Sequence, residues 1–491
     1  MIFKNISIVL SSNFLINILS FLSLFFVAHY LGPNVMGEVA YAISFVGFFS
    51  IFTDMGFFMA HKKIITEGED IGVCNGTFIT IKSIITVFFV LLTVFFTYFG
   101  NHFGIQLTDN SKILILIMVV VFSLRSFQTI PKATLHGHNE FGKDSFSELS
   151  GKFIGTMSRI LVSLMGLGAI YLAYTYLLGA LVIIFLLLFY FRKYPINLPT
   201  KKYLKKYIIF ALPLSILVVL EILVSHFDKL MIASYVSTED LGIYVGVLRI
   251  SIIFLLIPKV VGSVIFPTLS VKYKDKDTLY LNKIIPKVVR FLSFILTPLI
   301  LSIILHSEDV IGIILGSEFK SGKEILILLL VSNFFIALSN PHRNLLIASG
   351  KTTIISKIGI IFLSTNLFLN IIMIPDEIRG VNLLGLGAQG AALATLSSSI
   401  ISFLICLYIS YSFFKIDTKL FFIFSNFFSS LLALSLVDYI SLDLISIFYF
   451  ELIFDFLLLS SIYFISMYLL RQVDKSDIDY LSSKIRIALG D

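Results

Sequence analysis

The chain contains no tryptophan, only two cysteines, and charged residues at just 14% of its 491 positions. Each shortage excludes something. Cys74 and Cys406 lie far apart in apolar sequence, so they offer neither a CxxC pair nor a disulfide framework and read as packing residues. So few charges cannot solvate a water-soluble protein of this length when 57% of its residues are hydrophobic and the mean hydropathy is +0.98. No P-loop occurs, and no GxGxxG or GxSxG stands in a context that suggests ATP hydrolysis or acyl transfer. His29, His136, His138, His226 and His342 show no HExxH-like spacing. The sequence therefore calls for no cofactor, no metal and no enzyme chemistry. With Trp absent, interfacial anchoring falls to tyrosines such as Tyr30, Tyr98, Tyr235 and Tyr439.

What is present is apolar sequence, recurring with short polar gaps from residue 7 to residue 470. A helix crosses the hydrocarbon core with about 20 apolar residues, which leaves room for about fourteen crossings. The expected fold class is an all-α polytopic membrane protein. Spans 1–6 fall within residues 1–191, spans 7–12 within 207–413 and spans 13–14 within 419–470, with a cytoplasmic tail at 471–491. The first apolar run exceeds a signal h-region and lacks an A-x-A-like site before Gly32-Pro33-Asn34, so it reads as an uncleaved span. Residues 145–191 form one apolar stretch long enough to cross twice, and Gly166-Leu167-Gly168 suits a tight turn between the two crossings.

The net charge of +7 comes from 37 Lys+Arg against 30 Asp+Glu. Its placement removes a nucleic-acid partner from consideration. With the split at 166–168, one set of loops and termini holds 26 of the cations, including Lys201, Lys202, Lys205 and Lys206, and the opposite set holds Lys112, Lys320, Lys323 and Arg379. Short cytoplasmic loops carry the excess of Lys and Arg, so both termini are expected in the cytoplasm. The basic balance then needs no polyanionic partner beyond anionic lipid.

A repeat stands at an offset of 205 residues: the segment Val27 to Gly37 aligns with Ile232 to Gly242, keeping Ala, Tyr and Gly. Pro131 and Leu135 align more weakly with Pro341 and Leu345. Two six-helix lobes of parallel topology follow, related by an axis along the membrane normal, with two helices appended.

These residues resemble the polysaccharide-transport branch of the MOP (multidrug, oligosaccharidyl-lipid and polysaccharide) exporter superfamily. The opening hairpin Ala28-His29-Tyr30-Leu31-Gly32-Pro33-Asn34-Val35-Met36-Gly37 is similar to that family's, as is Phe52-Thr53-Asp54-Met55-Gly56. The likeness continues through Asp228-Lys229-Leu230-Met231-Ile232, Leu241-Gly242-Ile243-Tyr244, Ile265-Phe266-Pro267-Thr268-Leu269-Ser270 and Gly387-Ala388-Gln389-Gly390-Ala391-Ala392. The resemblance implies a flippase of the plasma (inner) membrane. It would move a polyprenyl-pyrophosphate-linked glycan, such as an O-antigen unit, to the outer leaflet, working beside glycan polymerase or glycosyltransferase machinery.

An ionisable group deep in a span costs roughly 3 kcal/mol or more. Seven cations fall inside the expected spans: Lys82, Arg125, Lys152, Arg159, Lys229, Arg249 and Lys259. Lys152 and Arg159 are two helical turns apart and share a face. The guanidinium fork matches phosphate oxygens, so Arg125, Arg159, Lys152, Arg249 and Lys259 are candidates to line a cationic cavity for a pyrophosphate. The alternative is that such cations neutralise acids or anchor at the interface: Lys152 pairing with Glu148, Lys229 lying with Asp228 near a helix end, Lys82 and Lys259 snorkelling. Glu221, near the middle of span 7, either couples transport to an ion or pairs with Arg249. Asp54 reads as a helix-end residue. Pro213, Pro258, Pro267 and Pro298 act as hinges or as static kinks.

Two rivals stand beside the flippase. A multidrug or organic-cation exporter of the same superfamily relies on acidic sites, whereas the deep charges here are mainly cationic. A membrane-embedded polysaccharide polymerase or ligase would bring a long outer loop, and the longest here, about 306–322, is too short to fold alone.

Topology can be tested directly. With both native cysteines replaced, single cysteines placed within 192–206 or 471–491 are expected to resist a membrane-impermeant thiol reagent in intact cells. Labelling of either removes the double crossing around Gly166.

Overall fold

The computed structural model describes residues 2–103 and 107–418, and beyond them 421–422, 425–426, 428–429, 458, 461–463 and 465. Helices dominate: α1 (Ile2–Phe49), α2 (Ile51–Asp54), α3 (Phe57–Thr66), α4 (Ile71–Phe99), α5 (Asp109–Gly137), α6 (Phe141–Leu164), α7 (Ala169–Phe191), α8 (Lys201–Tyr235), α9 (Thr238–Ile252), α10 (Leu256–Lys274), α11 (Thr278–Leu305), α12 (Ser307–Ile314), α13 (Lys323–Ala348), α14 (Thr352–Met373) and α15 (Gly387–Phe414). A two-residue antiparallel ribbon pairs β1 (Glu377–Ile378) with β2 (Val381–Asn382) between α14 and α15.

Among the described residues, nine helices are long and apolar enough to span a membrane, and a tenth is the bent pair Lys201–Ile216 and Val218–Tyr235, angled by 42°. The chain is a multi-pass membrane protein. Two of the expected twelve spans up to residue 413 are hidden in that count for physical reasons. Helix α1 runs 48 residues, about 72 Å if straight and twice the hydrocarbon thickness, and it breaks at Gly32 (φ 73°, ψ 179°) before Pro33. Helix α6 is long enough, but Lys143, Asp144, Glu148, Lys152 and Arg159 make it too charged to pass as apolar. The split around Gly166 is present: α6 ends at Leu164, Gly166 takes φ +63°, and α7 begins at Ala169. The expected outer loop at 306–322 is largely helical, holding α12 and a 3-10 turn at Ser317–Gly322. Most of expected spans 13 and 14, Tyr439 and the tail at 471–491 lie outside the described residues; the described parts of the two spans are helical.

The chain forms two compact units. The first comprises residues 1–247, 311–322 and 363–394. Within it α1 packs against α5, α6, α7 and α8, and α7 packs along both α5 and α6. With lipid as apolar as the helix surfaces, close approach and polar contacts must hold helices together. His61, fully buried, does this with both ring nitrogens: Nδ1 meets the Tyr207 hydroxyl at 2.6 Å and Nε2 the Thr134 hydroxyl at 2.9 Å. The second unit comprises residues 248–310, 323–362 and the described residues from 395 onward. There α10, α11 and α13 pack together around Leu269, Leu281, Ile285 and Leu345.

The aligned segments of the repeat meet each other inside the first unit. A Cβ placed on Gly37 would stand 1.7 Å from the Thr238 carbonyl oxygen, and one on Gly242 1.9 Å from that of Pro33. Each would also lie 3.0 Å from the other glycine's nitrogen. Thr238 follows Pro33, and Gly242 follows Gly37, by the same 205 positions. The contact is reciprocal, as a two-fold relation between the segments produces.

Lys82 corrects an expectation. Instead of snorkelling, its side chain is wholly buried and donates to Asp54 Oδ1 at 2.8 Å and to the Thr53 carbonyl at 2.7 Å. Asp54 also accepts from Phe58 N at 3.3 Å, just past the left-handed Met55 and Gly56 that interrupt the helix. Removing one partner of a buried pair leaves an uncompensated charge, at a cost of about 3–5 kcal/mol. Asp54→Asn is therefore expected to lower the unfolding temperature of the purified protein sharply, and Lys82→Met added to it to recover most of the loss. A double variant no better than Asp54→Asn denies the pair its structural role.

Candidate functional site

Charges collect where α5 and α6 face each other. The two helices join through the short turn 138–140 and touch each other far less than either touches α7, which packs along both. The side chains between them border this loosely packed stretch, called the recess below. Glu140, at the turn, accepts from Lys193 at 2.5 Å, Lys143 at 2.9 Å and the Tyr194 hydroxyl at 2.9 Å. Burial pushes its carboxyl pKa up, but these three donors outweigh that and hold it at about 2. The turn therefore stays pinned to the segment after α7 across the physiological range.

From the turn inward, cations and carboxylates alternate. His136 Nε2 lies 2.8 Å from Asp144 Oδ2, and Lys132 Nζ lies 3.6 Å from Asp144 Oδ1 and also binds Glu148. Lys132 belongs to α5 and not to a loop. Two helical turns back along α5, about 10 Å, stands Arg125. In an antiparallel pair that level corresponds to Lys152 on α6. Arg125 is exposed and Lys152 half-buried; both feel the charge of Glu148 and of Arg159, and Lys152 feels that of Arg125 as well. The expected Glu148–Lys152 pair is not the one formed, because Lys132 reaches Glu148 from across the recess.

Arg159 is held in place. Its Nε donates to the Gly155 carbonyl at 3.0 Å and its Nη2 to the Thr156 hydroxyl at 3.3 Å, while the guanidinium lies 4.8 Å from the centre of the Tyr176 ring. That stack depends on α6 and α7 approaching closely. A Cβ on Gly151 would stand 2.7 Å from the Gly179 carbonyl oxygen, and one on Gly155 3.6 Å from the Gly179 Cα, the small-residue packing typical of membrane helices. Arg125 leans on the Phe122 ring at 5.2 Å. With Lys132, Arg125, Lys152 and Arg159 against Asp144 and Glu148, the recess carries two positive charges in excess.

Three of the five expected cations are thus brought together. Arg249 on α9 and Lys259 on α10 belong to the second unit, where both are exposed. Glu221 is exposed on the bent helix α8. Lys229 forms its expected contact with Asp228, at 3.1 Å, and Asp228 also accepts from the Tyr244 hydroxyl at 2.7 Å. Two residues of the recess escaped sequence reasoning. Tyr176 sits in an unbroken apolar run, and nothing local sets it apart from its neighbours Tyr171 and Tyr174. Lys132 carried a usable signal, its i, i+7 spacing from Arg125. No group of three or more metal-ligating side chains occurs among the described residues.

Known proteins can be set beside this geometry. The family described as "Polysaccharide biosynthesis protein" matches residues 5–324. A probable low-salt glycan biosynthesis flippase of Haloferax volcanii, Agl15, is 23% identical over 384 residues, 77% of this chain and 76% of its own length. A probable flippase of the same organism, AglR, is 30% identical over 181 residues, 35% of each chain. Among solved structures, the lipid II flippase MurJ in an inward closed conformation matches with a TM-score of 0.78 at 18% identity, covering 94% of this chain and 98% of that one. An inward-facing multidrug resistance MATE transporter of the MOP superfamily matches at 0.63 with 13% identity, covering 82% and 95%. At these identities the structural likeness carries the fold alone. The family match runs through more than half of the sequence, and the chain belongs to the polysaccharide biosynthesis protein family.

Proposed function

We propose that this protein is a flippase that carries a polyprenyl-pyrophosphate-linked oligosaccharide or polysaccharide unit across the plasma membrane by alternating access, with both termini in the cytoplasm. The observation that carries the reading is the excess of two positive charges in the recess of Arg125, Lys152 and Arg159. Intramembrane cations without matching acids are costly unless an anion visits them. A pyrophosphate diester brings one ionised oxygen on each phosphorus, two negative charges in all, and planar guanidinium groups suit its oxygens. Relatives named as flippases support the reading.

In this reading residues 1–191 and 207–413 are the two lobes of the alternating-access cycle, and Arg249 and Lys259 are further candidates for contact with the substrate. The protein holds no nucleotide motif, so the energy comes from an ion gradient or the membrane potential. Partners are the lipid-linked glycan, membrane lipids and the glycosyltransferase or polymerase machinery of the same glycan.

Arg125→Ala and Arg159→Ala are each expected to abolish export of the glycan while the protein still inserts, and Lys at either position to restore only part, being a point charge. Full export by both Ala variants refutes the assignment. Coupling is assigned to Glu221. Glu221→Gln, which keeps shape but cannot titrate, is expected to remove the dependence of flipping on an imposed pH gradient in reconstituted vesicles. Unaltered dependence excludes that role, and recovery on adding Arg249→Gln makes Glu221 a static partner of Arg249 instead.

A further inference from the structure

Glu148 is the one carboxylate that both ion-pairs and reaches the cationic level of the recess. It binds Lys132 on one side, and its charge is felt by both Arg125 and Lys152 on the other. Asp144, one turn nearer the connecting turn, is already shared between His136 and Lys132. Lys132 therefore has a second anion available, so Glu148 is not needed to neutralise it. The Glu148 side chain is itself only partly covered, at 33% accessible. A partly covered carboxylate beside a site with spare positive charge is placed as a ligand anion would be.

From this geometry we infer that Glu148 is the resident counter-anion of the phosphate site. Its negative charge lowers the affinity of the recess for a bound pyrophosphate and so allows the ligand to leave. The inference rests on the proposed phosphate role of the same recess and names the residue that tunes it. With Glu148 in place the named side chains leave two positive charges, matching a dianionic diester. Neutralising it leaves three, which favours retention over release. Glu148 acts here as a positioning and tuning residue, through charge and without contact to the glycan.

The test uses inorganic pyrophosphate as the probe, titrated calorimetrically into the purified full-length protein in detergent, with flipping measured separately in vesicles. Glu148→Gln is expected to tighten pyrophosphate binding by about tenfold, the scale of removing one unit charge several ångströms away at intermediate dielectric, and to slow flipping. Glu148→Asp is expected to stay near the parent in both. The double variant Glu148→Gln with Lys132→Gln removes one charge of each sign and is expected to return affinity to near the parent value. A merely structural role predicts instead that both the single and the double variant bind more weakly. Unchanged or weakened binding in Glu148→Gln, with the parent still binding and Arg125→Ala not, overturns the counter-anion alone. Equal binding by the parent and Arg125→Ala, or none by the parent, overturns the phosphate site and this inference with it.

Discussion

Charge cannot be left unbalanced in a medium that does not solvate it, and the arrangement of the first unit follows from that constraint. Helix α6 is the clearest case. Five ionisable residues in 24 would expel it from hydrocarbon if they faced lipid; the helix packs against α1 and α7, with Asp144 and Glu148 paired to α5 and Arg159 stacked on α7. Glycines at 151, 155 and 179 allow α7 to approach, and that approach in turn brings the Tyr176 ring under Arg159. The turn at Glu140 closes the far end. Each element is positioned by the need to enclose the same row of side chains.

The contrast with Lys82 separates structural charge from site charge. Lys82 and Asp54 balance one for one, the cation has no accessible surface, and it also donates to a backbone carbonyl. The pair leaves no surplus charge for a ligand. Arg125 and Lys152 share a single nearby carboxylate, Glu148, which is also engaged by Lys132, while Arg159 is held by the Gly155 carbonyl, the Thr156 hydroxyl and the Tyr176 ring. An unequal count with retained accessibility is the feature on which the proposed phosphate role rests, and the Lys82–Asp54 pair lacks it.

Much of this architecture was legible in the residues, and its failures have identifiable causes. Apolar runs and the Gly pair at 166 and 168 located the helices up to residue 413, including the double crossing that became α6 and α7, because backbone satisfaction in lipid leaves helix as the only option for such runs. The repeat at 205 was legible as well, since Gly37 and Gly242 must both be bare where their backbones touch. Pairing was not legible. Helical spacing suggested Glu148 with Lys152, four residues on, but spacing along one helix says nothing of the neighbour, and Lys132 arrives from α5. Lys82 was misread for the same reason: its distance from a span end is visible in sequence, whereas the carboxylate of Asp54, 28 positions earlier, is a tertiary fact. Tyr176 required knowledge of which face of α7 turns toward α6.

The sign of the excess charge also weighs between the two kinds of transporter that share this fold. A binding site for organic cations needs surplus carboxylate, since a cationic ligand entering a positively charged recess adds repulsion to the loss of its own hydration. In the α5–α6 recess both acids are engaged by Lys132 and His136, and the surplus is guanidinium and ammonium. Reversing that preference would take more than one substitution, because neutralising any single cation still leaves the recess positive. The side chains on one face of α6, and the lysine that reaches them from α5, carry the surplus of positive charge that the proposed anionic ligand requires.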